Sequence, residues 1–161
     1  MNGRVLRTFA VLNALLFCLL TVSGQEPKVA SSESLNSLRE LAAKGEVSAQ
    51  FNLGFMYANG QGVTQDYVEA VRWYRKAADQ EDAAAQYNLG IRYDNGQGVT
   101  QDYVLAHMWL NLSASNSSGD DRKRTAIARD AVAAKMTPAQ IAEAQRLARE
   151  WKPKRVESKD R

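Results

Sequence analysis

Few side chains in this sequence carry the chemistry of an active site. There is one histidine, His107, and one cysteine, Cys18. A lone histidine on an apolar helix face is usually structural. Without a second histidine or a nearby cysteine it falls short of the ligand set that zinc takes. Carboxylates are numerous but scattered. Glu81-Asp82 sits in a turn, and Asp120-Asp121 opens a helix-forming stretch, where negative charge favours the helix dipole. Cleaving a glycosidic bond needs two carboxylates across a cleft, about 5–10 Å apart, and no spacing here points to such a pair. Gly60-Gln61-Gly62 lacks the lysine and the hydroxyl residue that follow a phosphate-cradling loop, so its glycines belong to a turn. Asn111-Leu112-Ser113 and Asn116-Ser117-Ser118 fit the glycosylation triplet, which has meaning only in a eukaryotic secretory pathway. The expectation is a chain that is not an enzyme, with no catalytic residue, no cofactor and no metal.

The elements that position these residues come in a repeat. Asn59-Gly60-Gln61-Gly62-Val63-Thr64-Gln65-Asp66-Tyr67-Val68 returns unchanged as Asn95 to Val104, an offset of 36. The offset also matches Ala49-Gln50 with Ala85-Gln86, Leu53-Gly54 with Leu89-Gly90, Tyr57 with Tyr93 and Trp73 with Trp109. A period of about 20–50 residues marks an array whose units bury their apolar faces only by stacking on one another. Within one unit, Phe51 to Tyr57 lie in a stretch of helix formers, so a first helix is expected over about 48–58. Asn59 to Gly62 stops it, because Gly and Asn take positive φ at low cost. Asp66 is placed to cap a second helix, and Glu69 gives capping-box spacing. Tyr67, Ala70, Val71, Trp73, Tyr74 and Ala77-Ala78 then form one wide apolar face. The mid-helix Gly54 and Gly90 are expected to admit a close helix on the Ala70 or Ala106 side, with Trp73 and Trp109 filling the space between units.

These residues resemble the Sel-one-like repeat (SLR), a 36-to-38-residue relative of the tetratricopeptide repeat. The resemblance rests on Ala-x-x-x-Leu-Gly-x-x-Tyr-x-x-Gly-x-Gly-Val-x-x-Asp-Tyr-x-x-Ala-x-x-Trp, from Ala49 to Trp73 and again from Ala85 to Trp109. It implies a right-handed superhelix of antiparallel helix pairs that binds other proteins. The fold class expected is therefore all-α, a tetratricopeptide-like α-solenoid with a C-terminal capping helix.

The organisation follows. Residues 1–24 carry Arg4 and Arg7, an apolar run from Phe9 to Val22 and a small-residue exit at Ser23-Gly24, the layout of a secretory signal peptide. The run is short of the roughly 20 apolar residues that a membrane span takes. Cleaved, it leaves an exported protein, periplasmic or secreted, of about 137 residues with no cysteine, stabilised by helix packing alone. Retained, it would anchor the chain to a membrane. Residues 25–47 form a linker and the second helix of a degenerate unit, 48–83 and 84–119 the two repeats, and 120–151 the capping helices. Thr137-Pro138-Ala139-Gln140 opens the last helix with a cap, a first-turn proline and a capping-box Gln. Residues 152–161 form a basic tail expected to be disordered. Between the termini the net charge is close to zero, which argues against a nucleic-acid partner.

Positions identical in both units serve the stack, and those that differ are free to serve a ligand. On the first helices, Phe51 and Tyr87, and Phe55 and Ile91, are expected to face the inner wall as contact anchors. Asn52, Asn88, Asn59 and Asn95 would be available to hydrogen-bond a ligand backbone. The expected activity is that of an exported adaptor or scaffold holding another protein or a peptide. A cell-envelope hydrolase or regulator acting on glycan or peptidoglycan is the rival.

Overall fold

A computed structural model describes residues 32–154, and within them every regular element is a helix. There are seven: α1 (Ser32–Ala43), α2 (Val47–Asn59), α3 (Tyr67–Ala78), α4 (Ala83–Asn95), α5 (Tyr103–Asn116), α6 (Gly119–Ala133) and α7 (Pro138–Glu150). Helices α2 and α3 pack as one pair, α4 and α5 as the next. Helix α1 lies against α2, and both α6 and α7 close on α5. The expected signal peptide (residues 1–24), residues 25–31 and residues 155–161 lie outside the described residues. Among the described residues no helix is long and apolar enough to cross a membrane.

Local chemistry accounts for the helix ends. Gly60 and Gly96 sit in the left-handed region at φ 67° and 64°, and their N–H groups donate to the Met56 and Arg92 carbonyls. Asp66 caps α3 by accepting from the Val68 and Glu69 N–H groups at 2.8 and 3.1 Å. The expected capping box is incomplete. The Asp66 N–H donates to the Tyr57 carbonyl, and the Glu69 carboxylate pairs with Arg72 at 3.1 Å. The Arg72 guanidinium thus takes the group that would have reached back. On α7 the box is complete between Thr137 and Gln140.

The repeat extends to polar contacts. Gln50 donates to the Ala42 carbonyl at 3.1 Å, and Gln86 donates to that of Ala78 at 3.2 Å. Gln80 donates to the Gln50 amide oxygen at 2.8 Å, and Asn116 to that of Gln86 at 3.1 Å. Arg39 reaches the Tyr57 hydroxyl as Arg75 reaches that of Tyr93. Each buried glutamine therefore ties the last turn of the preceding unit to the next, adding a second bond to a carbonyl that also accepts the Gly45 or Glu81 N–H. Helix α1 takes the place of α3 one unit earlier, since Arg39 and Ala42 do there what Arg75 and Ala78 do next.

Packing corrects several expectations. A Cβ on Gly54 would lie 2.6 Å from the Tyr74 ring, and one on Gly90 would lie 2.7 Å from the Leu110 side chain. The closest approach is thus by the large residue one turn beyond Ala70 or Ala106. At Gly90 the Ala106 carbonyl oxygen also comes within 3.2 Å. Trp109 is fully buried against α3 and α4, but Trp73 is only half-buried, packed on Ala42, Ala49 and Leu53 of the shorter N-terminal end. The tail does not leave the fold at Trp151. The Trp151 ring meets Trp109 edge-on at 5.9 Å, and Lys154 docks on Asp79 through its N–H at 2.7 Å and its ammonium at 2.9 Å.

Candidate functional site

The first helices of the two units, α2 and α4, present their variable positions beside α6, and a hollow of about 290 Å³ opens between them. Phe51 comes from α2, and Ala83, Ala84, Tyr87 and Asn88 come from α4. Ser113 of α5 and Ser117 just after it line another side, and Asp121, Arg124 and Thr125 of α6 complete the wall. Three of the eight expected contact residues, Phe51, Tyr87 and Asn88, therefore meet in one place. The rings of Phe51 and Phe55 are 6.4 Å apart, and Phe55 remains 42 % exposed beside the hollow. Phe51 has a second attachment: its ring lies 5.9 Å from buried Tyr74, so it belongs partly to the core.

Of the other five, Phe55 stands beside the hollow and four lie elsewhere. Ile91 packs with Ala106, Leu110 and Val132, where α6 crosses the repeat, so it serves the stack more than the hollow. Asn59 spends its amide on the Phe55 carbonyl of its own helix at 2.8 Å. The side chains of Asn52 and Asn95 are exposed and make no hydrogen bond among the described residues, but neither lines the hollow. Asn88 donates to the Ala84 carbonyl at 2.9 Å, which leaves its amide oxygen available as an acceptor.

Residues from α5 and α6 were not among the expected contacts. Ser113 and Ser117 are occupied, donating to the Ala83 and Ser113 carbonyls at 2.7 Å each. Thr125 is only 3 % exposed, and its hydroxyl has no partner among the described residues. The Arg124 guanidinium stands 5.4 Å from the Tyr87 ring centre and pairs with Asp121 at 2.9 Å. A cation over an aromatic face is attracted by the ring quadrupole and orients both groups. The available signal was only composition: an Arg and a Thr on a helix just after the last repeat.

His107 lies away from this hollow, buried on α5 with its Nδ1 unpartnered. Burial pushes its imidazole below the ordinary histidine range, the Arg129 charge adds to that, and Asp130 opposes it. Tyr74 is similar in kind: its buried hydroxyl has no partner, and burial pushes its phenol up to about 12. Both are packing residues whose polar atoms are costly to bury. Asn111 and Ser113 of the first glycosylation triplet lie inside α5 with Ser113 buried, so that triplet is closed to modification.

The Sel1 repeat model matches residues 47–82 and again residues 83–118, the two helix pairs just described. The chain carries two Sel1 repeats. Among solved structures, c5321, a protective antigen present in uropathogenic Escherichia coli strains and displaying an SLR fold, is similar with a TM-score of 0.71 and 34% identity. That similarity covers 88% of this chain and 28% of the antigen, so the Sel1-repeat chain spans under a third of that protein's length. A Sel1 repeat protein from Oxalobacter formigenes is similar with a TM-score of 0.51 and 39% identity, over 52% of this chain and 64% of that one. No curated protein matches the sequence. Sel1 repeats commonly serve as protein–protein interaction modules, and the all-helical solenoid expected from the sequence is the fold observed.

Proposed function

We propose that this Sel1-repeat chain is an exported, non-catalytic adaptor that holds an extended segment of another protein along α2 and α4. The observation that carries this reading is the hollow shared by Phe51, Tyr87 and Asn88, with Phe55 exposed beside it. Aromatic side chains supply large contact area at low entropic cost, and interface energy concentrates in a few such anchors. The family's common role as an interaction module supports it. The carboxylate lining the hollow is Asp121, already paired with Arg124, so these walls do not assemble the two-carboxylate geometry of a glycan hydrolase. Export rests on the basic, apolar and small-residue order of residues 1–24. The likeness to a protective antigen accords with it.

Two measurements test the reading. Intact mass of the exported protein should place the mature N-terminus near Gln25, and a protein still carrying Met1 would replace the free adaptor with an anchored one. For binding, peptides selected on the exported protein from a displayed random library are measured against Phe55→Ser. Phe55 is exposed enough for that change to spare the fold, and affinity should fall at least tenfold, the loss of an anchor worth about 2 kcal/mol. Unchanged affinity with an unchanged melting temperature would move the contact surface away from α2 and α4.

A further inference from the structure

The hollow against α6 has features that select a particular kind of peptide. Its volume of about 290 Å³ is at the lower bound of pockets that take drug-sized ligands, roughly 300–1,000 Å³. It suits one large side chain. Phe51, Ala84 and Tyr87 give it an apolar lining on the α2 and α4 side. Two polar groups at its wall remain unspent: the Thr125 hydroxyl, on a residue only 3 % exposed, and the Asn88 amide oxygen, whose NH₂ is held by its own helix. A ligand group that reaches the Thr125 hydroxyl in the hollow replaces its bond to water, a modest net gain that also fixes orientation.

The charge at the rim gives the second selection. The inner positions of α2 and α4 named above (Phe51, Asn52, Phe55, Tyr87 and Asn88) carry no charge, whereas Arg124 stands over Tyr87 at the edge. Its partner Asp121 holds it weakly. Both side chains are about two-thirds exposed or more, and such exposed pairs contribute little. A ligand carboxylate arriving over the Tyr87 ring meets a planar guanidinium that can donate two parallel hydrogen bonds to it.

Resting on the adaptor reading above, we infer that this hollow is an anchor subsite for one bulky apolar or aromatic side chain of an extended partner peptide, with a neighbouring carboxylate of that peptide bound by Arg124. The side chain fills the space between Phe51 and Tyr87. The peptide backbone donates to the Asn88 oxygen and accepts from Thr125.

The test uses three blocked hexapeptide probes and the exported protein, followed by NMR. The first is Ser-Gly-Phe-Asp-Gly-Ser; the second carries Asn for Asp, and the third Ser for Phe. The first should shift the Thr125 methyl and the Tyr87 and Asn88 amides, and the Ser probe should bind at least tenfold more weakly. The Asn probe should bind about fivefold more weakly than the first to wild type, and equally well to Arg124→Gln, whose side chain is exposed and whose loss should leave the fold intact. Equal binding of the Asp and Asn probes to wild type would overturn the carboxylate contact. Shifts confined to Phe55 and the outer turns of α2 would overturn the subsite while leaving the adaptor reading standing. No shift anywhere at millimolar peptide would overturn both.

Discussion

The two repeats share a ten-residue identical run and the same helix ends, yet the same tryptophan has two fates. Trp109 in the second repeat is 1 % exposed, with the Arg75 guanidinium 4.9 Å from its ring centre and Trp151 against its edge. Trp73 in the first repeat is half-buried, and Lys76 and Arg72 lie 4.2 and 5.7 Å from its ring centre. The inner contacts are equivalent. Trp73 meets α1 and α2 as Trp109 meets α3 and α4. What differs is the outer neighbour: the chain returns from α7 to set Trp151 on Trp109, and among the described residues no counterpart covers Trp73. In a solenoid, burial is therefore a property of position in the stack, and identical residues carry unequal energies.

Emptying the two sites measures that inequality. Trp109→Ala should cost about 3–5 kcal/mol, the range for a fully buried large aromatic. Trp73→Ala should cost about 1–2 kcal/mol, since only part of the ring leaves water. Chemical denaturation of both variants decides it, and equal losses would erase the contrast between the repeats.

The loops offer a second contrast. Gly98 lies at φ 76°, and a Cβ there would come within 2.2 Å of the Tyr67 carbonyl oxygen at the start of α3. Gly60 has a similar φ of 67°, but its nearest obstacle is the Gln65 Cβ at 3.4 Å. Gly98→Ala should cost about 3 kcal/mol by combining backbone strain with a clash against backbone. Gly60→Ala should cost about 1 kcal/mol, from the left-handed conformation alone. A Gly98→Ala thermal midpoint matching that of Gly60→Ala would show that the units do not touch through this loop.

At the residue facing the mid-helix glycine, the first repeat has Tyr74 and the second Leu110, both fully buried. The Tyr74 hydroxyl is unpartnered, so Tyr74→Phe should leave stability unchanged or raise it by about 1 kcal/mol. A loss greater than about 1 kcal/mol on urea unfolding would mean that the hydroxyl is bonded in solution.

The smallest effect concerns His107, which stands where the first repeat has Val71. Its imidazole is held below the ordinary value by burial first and by Arg129 second. A depressed histidine is neutral in both states at pH above the unfolded value of about 6.5. As pH falls through that value, the unfolded chain binds the proton first, so stability drops until the folded-state value is passed. His107→Val should flatten the stability profile between about pH 7 and pH 5. A slope that survives the substitution would assign the pH response to other groups.

Legibility in the sequence followed the range of the interaction. The Asp66 cap, the Gly60 and Gly96 reversals and the Thr137–Gln140 capping box all act within a few residues, and each was visible as a residue type at a spacing. The incomplete box at Glu69 was not, because Arg72 competes for the same carboxylate. At the candidate site, Phe51, Tyr87 and Asn88 were legible as positions that differ or repeat on the first helices. Arg124 and Thr125 were not, since they enter from a helix outside the repeat and only chain folding brings them to Tyr87. Ile91 has the same phase as Phe55, yet α6 covers the one and leaves the other exposed.

The sequence by itself determined the unit of this protein. A 36-residue period, paired loop glycines and capping aspartates specify a helix–loop–helix element, because helix starts and stops are set by backbone groups that neighbouring residues satisfy. Only the tertiary structure decided which unit is sealed and where a ligand has room. The returning tail buries Trp109, Tyr74 and Leu110 close over the mid-helix glycines, and α6 turns a row of inner-wall residues into a hollow with a charged rim. The physical reason is one of range: capping is settled within a turn of helix, whereas burial depends on whichever surface is stacked alongside.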